Sequence, residues 1–514
     1  MIIILDYGSQ YAQLIARRVR ECNVYSELVA HDITAARVRE LRPEGIILSG
    51  GPASVYEQDA PRLDPAILDL GIPILGICYG MQLIMDMLGG KVERRTEKRE
   101  YGRAALRVDT ASALFVGIED SFTAWMSHGD SCVVLADGFR RIASTDSLEQ
   151  AAVEQAARKI YGVQFHPEVA HTVKGMDVLK NFIFGICQAQ AVWTMANYIE
   201  TEVKRIRATV GSGRVLLGLS GGVDSTTVAA LLHKAVGNQL ICMFIDQGFL
   251  RQGEARRVAD LIAKHMRIRL VQVDAAQRFM ERVKGISDPE EKRRRIGNEF
   301  VRTFEAEARK IGNFQFLAQG TLYPDVIESA VSGGTQAKTA AKIKTHHNVG
   351  GLPADMQFKL LEPLRWLFKD EVRRLGRELG LHEDLVNRHP FPGPGLAIRI
   401  IGEITPERVR VLQEADAIVM GEIKAAGWYD KIWQVPVILL PEVRTVGVMG
   451  DARTYGMTCA VRCVTSEDAM TARAAHLPWE LLEKISARVI NEVPEITRVC
   501  YDISSKPPAT IEWE

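Results

Sequence analysis

The chain has 514 residues, 47% of them apolar and 25% charged. These are the proportions of an ordinary globular protein, so a mainly disordered, collagenous or disulfide-stapled chain is excluded. Lys plus Arg and Asp plus Glu both number 64, and a net charge of zero leaves no overall field to recruit nucleic acid or an anionic membrane. At ~150 residues per domain the length points to about three domains.

The cysteines at 22, 78, 132, 187, 242, 459, 463 and 500 form no CxxC pair, a usage that fits a reducing compartment. The longest apolar runs, such as 2–5 and 437–440, fall far short of the ~18 residues of a membrane span. Asp6 directly follows the first of them without a basic flank, which reads as a buried strand rather than a signal peptide. A soluble, cytoplasmic protein is expected, with no nucleic-acid or membrane partner.

In chain order, residues 2–5, 45–48 and 72–76 are short apolar runs, each ending in a loop with Gly or Asp. The first and third lead straight into helical periodicity at 13–19 and 82–88. Strand–loop–helix repetition predicts a parallel sheet covered by helices. The unit closes with a strand-like run at 160–165 and a helical one at 178–186, so 1–187 is read as a first domain. Residues 188–209 read as one charged amphipathic linker helix, with Val192, Met195, Ile199, Val203 and Ile206 on its apolar stripe.

The rhythm then restarts, with strands at 215–219, 240–246 and 268–273 and helices at 225–236 and 254–265. These predict a second doubly wound domain within 188–389. Residues 384–394, ending in Pro390, Pro392 and Pro394, are expected to break all regular structure. Strand-like runs at 435–440, 445–449 and 459–464 follow, with helices between them. The fold class is therefore α/β: two doubly wound domains and a smaller α+β domain at 390–514.

Cys78 lies in GICYG at 76–80, between a predicted strand and a predicted helix, with the spacing of a nucleophile elbow. A thiol at a helix N-terminus meets unpaired N–H groups, which favour the thiolate. A cysteine taken alone is more often a small core residue, but two further pieces shift the balance. His166 and Glu168, in QFHPE at 164–168, are two apart at a predicted strand end, so both side chains would face one side of extended backbone. His166 would take the thiol proton and Glu168 would orient the ring. The SGGP run at 49–52 offers the backbone N–H groups of Gly50 and Gly51 to an oxyanion, together with that of Tyr79.

These three motifs resemble the signatures of the triad, or class I, glutamine amidotransferases. The resemblance implies that Cys78 attacks the side-chain amide of glutamine, forms a thioester and releases ammonia. It also implies that Gln82 and the SHGD run at 127–130 help hold the glutamine.

Ser220, Gly221, Gly222, Val223, Asp224, Ser225 and Thr226 join a strand to a helix. Successive glycines let backbone N–H groups form an anion nest at the helix N-terminus. No GxxxxGK[ST] motif is present, which disfavours γ-phosphate transfer of the P-loop kind. A carboxylate beside phosphates is repulsive unless a cation lies between, so Asp224 is a candidate Mg²⁺ ligand. Asp325 and Glu328, three apart on a predicted helix, are further candidates, although such a pair is usually a solvated face. Lys344, His346 and His347, in KTHHNVGG at 344–351, read as a lid over phosphates. The SGGVDS run resembles the loop of the adenine-nucleotide-hydrolase-like ATP pyrophosphatases, implying ATP as co-substrate and adenylation of a carbonyl oxygen.

RHPFPGPGL at 388–396 and DISSKPPATIEWE at 502–514 closely resemble the glutamine-hydrolysing GMP synthase family, and with the earlier motifs the match spans the chain. The resemblance implies conversion of xanthosine monophosphate (XMP) to GMP, with glutamine and ATP consumed and AMP and pyrophosphate released. It places XMP contacts on Arg293, Gln434, Lys506 and Glu512, and a homodimer through the C-terminal domain. Val349 stands where some members carry Asp, so no XMP contact is assigned there. Without the family, 292–295 would read as a solvated charge run. The rivals are a glutamine-dependent NAD synthase and a catalytically silent nucleotide-binding relative. Glutaminases attached to the former are usually of the nitrilase type, so Cys78, His166 and Glu168 oppose it, and those three with Asp224 oppose the latter.

Overall fold

The early apolar runs become the strands β1 (Ile2–Asp6), β2 (Ser26–Ala30), β3 (Gly45–Leu48) and β4 (Ile74–Ile77) of a computed structural model. The model describes residues 1–94, 100–331, 358–449, 452–466 and 471–514, without the side chains of 328–331, 449 and 452. Cα packing divides the chain into two compact units, Met1–Tyr198 and Ile199–Glu514.

In the first unit β1, β3 and β4 are buried on both faces, which is why each reads as an unbroken apolar run rather than an alternating one. The helices α1 (Ala12–Glu21), α2 (Ala35–Leu41) and α3 (Tyr79–Met87) cross between them. After β5 (Lys91–Arg94), β6 (Glu100–Val108), β7 (Ser121–His128), β8 (Asp130–Val134), β9 (Arg140–Ser144) and β10 (Ala152–Gln155), the chain returns as β11 (Ile160–Val163). The sheet order is β2-β1-β3-β4-β11-β10-β9-β6-β7. Its first five strands are parallel and the rest antiparallel. The expected parallel sheet is thus extended by an antiparallel wing. The helix α4 (Gly175–Lys180) runs on into a π-helical turn, Asn181–Ile186.

The linker helix begins later than its stripe suggests, as α5 (Met195–Val210). Trp193 is drawn onto the first unit instead: its N–H donates to the Asn23 carbonyl at 2.7 Å and its ring packs 4.7 Å from Tyr25. Thr194 then caps the helix through Oγ1, accepting from the Asn197 N–H at 3.2 Å.

The second unit is built on β12 (Val215–Gly218), β13 (Leu240–Asp246), β14 (Leu270–Asp274), β15 (Phe316–Ala318) and β16 (Lys359–Leu361), all parallel in the order β14-β13-β12-β15-β16. Strand order reverses between β12 and β15, the place where open α/β sheets leave a crevice for ligands. The covering helices are α6 (Val223–Val236), α7 (Glu254–His265), α8 (Ala276–Val283), α9 (Pro289–Ile311), α10 (Tyr323–Val331) and α11 (Lys369–Glu378).

Residues 384–394 do not break all regular structure. The single turn α12 (Glu383–Val386) persists because His382 Nδ1 accepts from the Asp384 N–H at 3.3 Å. Beyond it lie α13 (Pro406–Ala425), β17 (Val437–Met449), β18 (Ala452–Val461), the two-residue strands β19 (Val464–Thr465) and β20 (Arg473–Ala474), α14 (Trp479–Glu492) and β21 (Ile496–Tyr501). The runs at 435–440 and 445–449 are one strand with a register shift between Leu440 and Thr445, where Pro441 has no N–H for the ladder. One hydrophobic core joins Leu216, Ile241 and Phe279 of the α/β sheet to Leu396, Leu412, Val437 and Val461. Among the described residues no helix is long and apolar enough to cross a membrane.

Candidate active sites

Three adjacent parallel strands, β3, β4 and β11, end together, and each delivers one part of the first site. Cys78 follows β4 as the N-cap of α3, with φ 50° and ψ −105°. A non-glycine residue holds that conformation only when its surroundings over-determine it. Here Gly76 and Gly80 permit the crowding: a Cβ on Gly76 would lie 2.6 Å from the Gly80 carbonyl carbon, and one on Gly80 2.5 Å from the Leu48 oxygen. Cys78 Sγ accepts from Gln164 Nε2 at 3.4 Å and approaches the Ser127 carbonyl at 3.8 Å.

His166 stands beside Cys78 and interacts with it electrostatically, and its Nδ1 lies 2.7 Å from Glu168 Oε1. Both side chains are almost fully buried. Burial pulls the His166 pKa down, but the Glu168 carboxylate and the interaction with Cys78 overcome it and hold the imidazole well above its usual value. The expected extended geometry is corrected: β11 stops at Val163, and a bend at 164–165 leads into a turn at Pro167 and Glu168. Thr172 Oγ1 donates to the His166 carbonyl at 2.6 Å and Arg18 Nε to that of Glu168 at 2.9 Å, so the turn, not a strand, brings the pair together.

Gly50 stands beside the thiol, since a Cβ there would lie 3.3 Å from His166 Cε1 and 3.8 Å from Cys78 Cβ. Gly51 packs against the Tyr7 carbonyl, and Tyr79 supplies the first N–H of α3. Gln82 is buried one step back. Its Nε2 donates to the Asp130 carbonyl at 3.0 Å and to Gln164 Oε1 at 3.2 Å, which orients Gln164 toward the sulfur. Asp130 accepts from Ser54 and Tyr56, and His128 Nδ1 lies 3.0 Å from the Asp130 carbonyl.

The second site lies where β12 and β15 diverge. The helix α6 starts at Val223 with Gly222 as N-cap, so Asp224, Ser225 and Thr226 sit in its first turn. Ser220 Oγ accepts from the Gly222 N–H at 3.3 Å and lies 3.1 Å from Ser225 Oγ, while Thr226 Oγ1 donates to the Gly222 carbonyl at 2.8 Å. Asp224 Oδ2 accepts from Lys369 Nζ at 2.5 Å, whereas Oδ1 is buried with no hydrogen-bond partner. Gly320, beyond β15, faces Asp224 across the crevice: a Cβ there would stand 3.4 Å from Asp224 Cβ. Asp325 turns back on its own helix, accepting from the Leu322 N–H at 3.1 Å. The side chain of Glu328, its expected partner, lies outside the described residues, as do Lys344, His346 and His347.

The third cluster gathers the end of the sequence. Gln434 Nε2 donates to Glu512 Oε1, and fully buried Arg399 holds both Glu512 oxygens. Arg293 donates to the Glu514 carbonyl, and buried Lys292 donates to Glu514 Oε2 at 2.5 Å. Arg462, also fully buried, bonds the carbonyls of Ser504, Thr510 and Ile511 and the Asp502 carboxylate. Lys506 pairs with Ala472 in a β-bridge. Ile511 is buried, whereas Trp513 is exposed, its indole N–H donating to Asp502.

The class-I glutamine amidotransferase family matches residues 3–186, the NAD synthase family 192–393, and the GMP synthase C terminal domain family 421–513. The chain is 58% identical over 513 residues to the glutamine-hydrolyzing GMP synthase of Heliobacterium modesticaldum, covering 100% of this chain and 99% of that protein. It is 56% identical over 517 residues to that of Synechococcus sp., covering 100% and 96%. The chain belongs to the glutamine-hydrolysing GMP synthase family. It is accordingly a ligase with an amidotransferase part and an ATP pyrophosphatase part.

Within this GMP synthase framework the sequence reading passes over Gln164, Lys369, Arg399 and Arg462. Gln164 carries a usable signal, standing two residues before His166 in QFHPE. The other three become visible only when the fold supplies their partners.

Proposed function

We propose that the first unit hydrolyses glutamine at Cys78 and that the second adenylates XMP and aminates it to GMP. His166 takes the Cys78 proton, the thiolate attacks the amide carbon, and the N–H groups of Gly50, Gly51 and Tyr79 meet the oxyanion. The proton then leaves with ammonia from the thioester-forming step, and water releases glutamate. At the loop of Ser220 to Thr226, a carbonyl oxygen of XMP attacks the α-phosphorus of ATP and expels pyrophosphate. Ammonia then displaces AMP, a far better leaving group than the free oxygen.

The observation that carries this reading is the buried group of Cys78, on a strained elbow, beside His166, whose ring is held 2.7 Å from Glu168. Asp224 suits a hard cation: Oδ1 is buried and unpaired. Among the described residues no group of three or more His, Cys, Asp and Glu could hold a metal by itself. Asp224 would therefore hold Mg²⁺ jointly with the phosphates of ATP, as Mg²⁺ commonly binds. When bound, the ion would offset the polyphosphate charge during adenylation.

Arg293, Gln434, Lys506 and Glu512 are proposed to contact XMP, Lys506 at its phosphate and Gln434 with Glu512 at its sugar or base. A homodimer through the C-terminal segment is supported by Val443, Val446, Val448 and Tyr455, apolar side chains exposed on β17 and β18. A cytoplasmic site of action accords with free cysteines throughout the chain. The test is direct: protein, XMP, ATP, Mg²⁺ and glutamine are mixed and products separated by chromatography. GMP, AMP and pyrophosphate are expected, and ADP with orthophosphate would refute adenylation.

A further inference from the structure

Beneath the Ser220 to Thr226 loop lies a buried charge pair with no part in the scheme above. Arg388 Nη1 donates to the Gly221 carbonyl at 2.5 Å, and Nη2 pairs with Glu254. The two side chains are only 17% and 7% exposed. Glu254 Oε2 is itself fixed by the Arg251 N–H at 2.9 Å. Gly221 has φ +73°, and a Cβ there would lie 2.7 Å from Val258 and 2.8 Å from Arg388 Nη1. The loop turn is therefore moulded against the guanidinium.

The contacts of the serine hydroxyls inside the loop are longer than the Arg388 bond. Gly222 N–H reaches Ser220 Oγ at 3.3 Å, and Ser220 N–H reaches Ser225 Oγ at 3.2 Å. A trans peptide points its C=O and N–H to opposite sides, so holding the Gly221 carbonyl on Arg388 turns the Gly222 N–H toward the serine hydroxyls.

Arg388 also begins a well-anchored strap. His389 stacks on Tyr429 with centroids 3.9 Å apart and planes 2° from parallel. Phe391 lies against the guanidinium groups of Arg251 and Arg399, 5.0 and 5.2 Å from its ring. Gln247 Nε2 donates to the Gly393 carbonyl at 2.9 Å. Arg388 therefore reaches the loop from a segment fixed on several sides.

We propose that Arg388 is a positioning residue for adenylation, holding the Gly221–Gly222 peptide so that the Gly222 N–H and the Ser220 and Ser225 hydroxyls converge on the polyphosphate of ATP. The proposal rests on the reading of this loop as the ATP site. An arginine suits the task because its planar fork spans a carbonyl and a carboxylate at once, which a lysine ammonium cannot do in the same geometry.

The experiment uses the full chain with ammonium salts as nitrogen source and follows XMP-dependent pyrophosphate release in Arg388→Lys and Arg388→Ala. Both are expected to raise the ATP KM about tenfold or more, with wild-type alkylation of Cys78 by a glutamine analogue. Millimolar guanidinium should restore activity to Arg388→Ala, and tetramethylammonium should not. Wild-type ATP KM in both variants, no guanidinium rescue, or an Arg388→Lys chain that fails to fold would each overturn the positioning role. Failure of the unsubstituted chain to bind ATP would instead overturn the reading of the loop.

Discussion

Arg399 grips the carboxylate of Glu512 with both arms of its guanidinium, Nε at 2.9 Å and Nη2 at 2.8 Å, while fully buried itself. Asp416, the other carboxylate near Arg399, is farther off at 3.8 Å. Removing one partner of a buried pair strands the other charge, at about 3–5 kcal/mol. Arg399→Met should therefore lower the unfolding free energy of the second unit by about that amount, read by urea denaturation. It should also weaken XMP binding through the displaced Glu512. A loss under about 1 kcal/mol would show that solvent reaches the pair.

Cys78→Ala should abolish glutamine-dependent GMP formation and preserve synthesis from ammonium salts at alkaline pH, where neutral ammonia is plentiful. Parallel assays with the two nitrogen sources check this. A folded variant equally inactive with both would refute the division of labour between the units.

The His166–Glu168 pair makes a pH prediction. His166 is held well above its usual pKa against the pull of burial. A raised pKa means that the pair's stabilisation is complete below the unfolded value of about 6.5 and fades as pH rises through the folded one. The stability gap between wild type and Glu168→Gln should therefore be widest at mildly acidic pH and shrink under alkaline conditions. Thermal melts across pH report it, and a gap independent of pH would contradict the pairing.

Asp224→Asn should suppress pyrophosphate release with either nitrogen source while Cys78 still reacts with a glutamine analogue. Lys369→Met removes the ammonium 2.5 Å from Asp224 Oδ2 and should weaken ATP binding by about one to two decades. Isothermal titration with ATP measures the second effect, and undiminished affinity would mean that Lys369 only balances Asp224.

Lys506→Ala should raise the XMP KM at least about tenfold with little change in folding, as loss of one charge-assisted contact implies. Deleting 506–514 should behave differently. It strips Glu514 from Lys292, Glu512 from Arg399 and the Thr510 and Ile511 carbonyls from Arg462. A large fall in melting temperature is expected, and a deletion variant with normal stability and normal XMP kinetics would show the segment to be dispensable.

Much of the fold and of both sites is legible in the sequence. Strands such as β1, β4 and β13 are buried on both faces, so their apolar runs are continuous, and the Cys78 elbow and the Ser220 loop announce themselves by glycine spacing. The antiparallel wing is hard to read because β6, although it alternates in burial, turns Glu100, Gly102 and Ala104 to its less exposed side, which gives no apolar signal. The bond from the Leu322 N–H to Asp325 is a local helix-start contact that spacing alone does not distinguish from a site role. Arg462 sits in a run that reads as plain strand, and nothing local says that tail carbonyls will surround it. Partners of buried charges are chosen by the tertiary fold across long stretches of chain, and residue spacing does not record that choice.

The capping of Lys292, Arg399 and Arg462 by residues 510–514 also bears on synthesis. The first unit has its own hydrophobic core, and domains tend to fold as units, N-terminal first, at ~5–20 residues emerging per second. The distance from Tyr198 to Glu512 then corresponds to about 15–60 s on the ribosome. Throughout that interval the Cys78 pocket can be assembled while Lys292, Arg399 and Arg462 still lack the contacts that residues 510–514 make. Closure of the second unit therefore waits on no local signal of its own but on a single short segment synthesised some three hundred residues after the first unit.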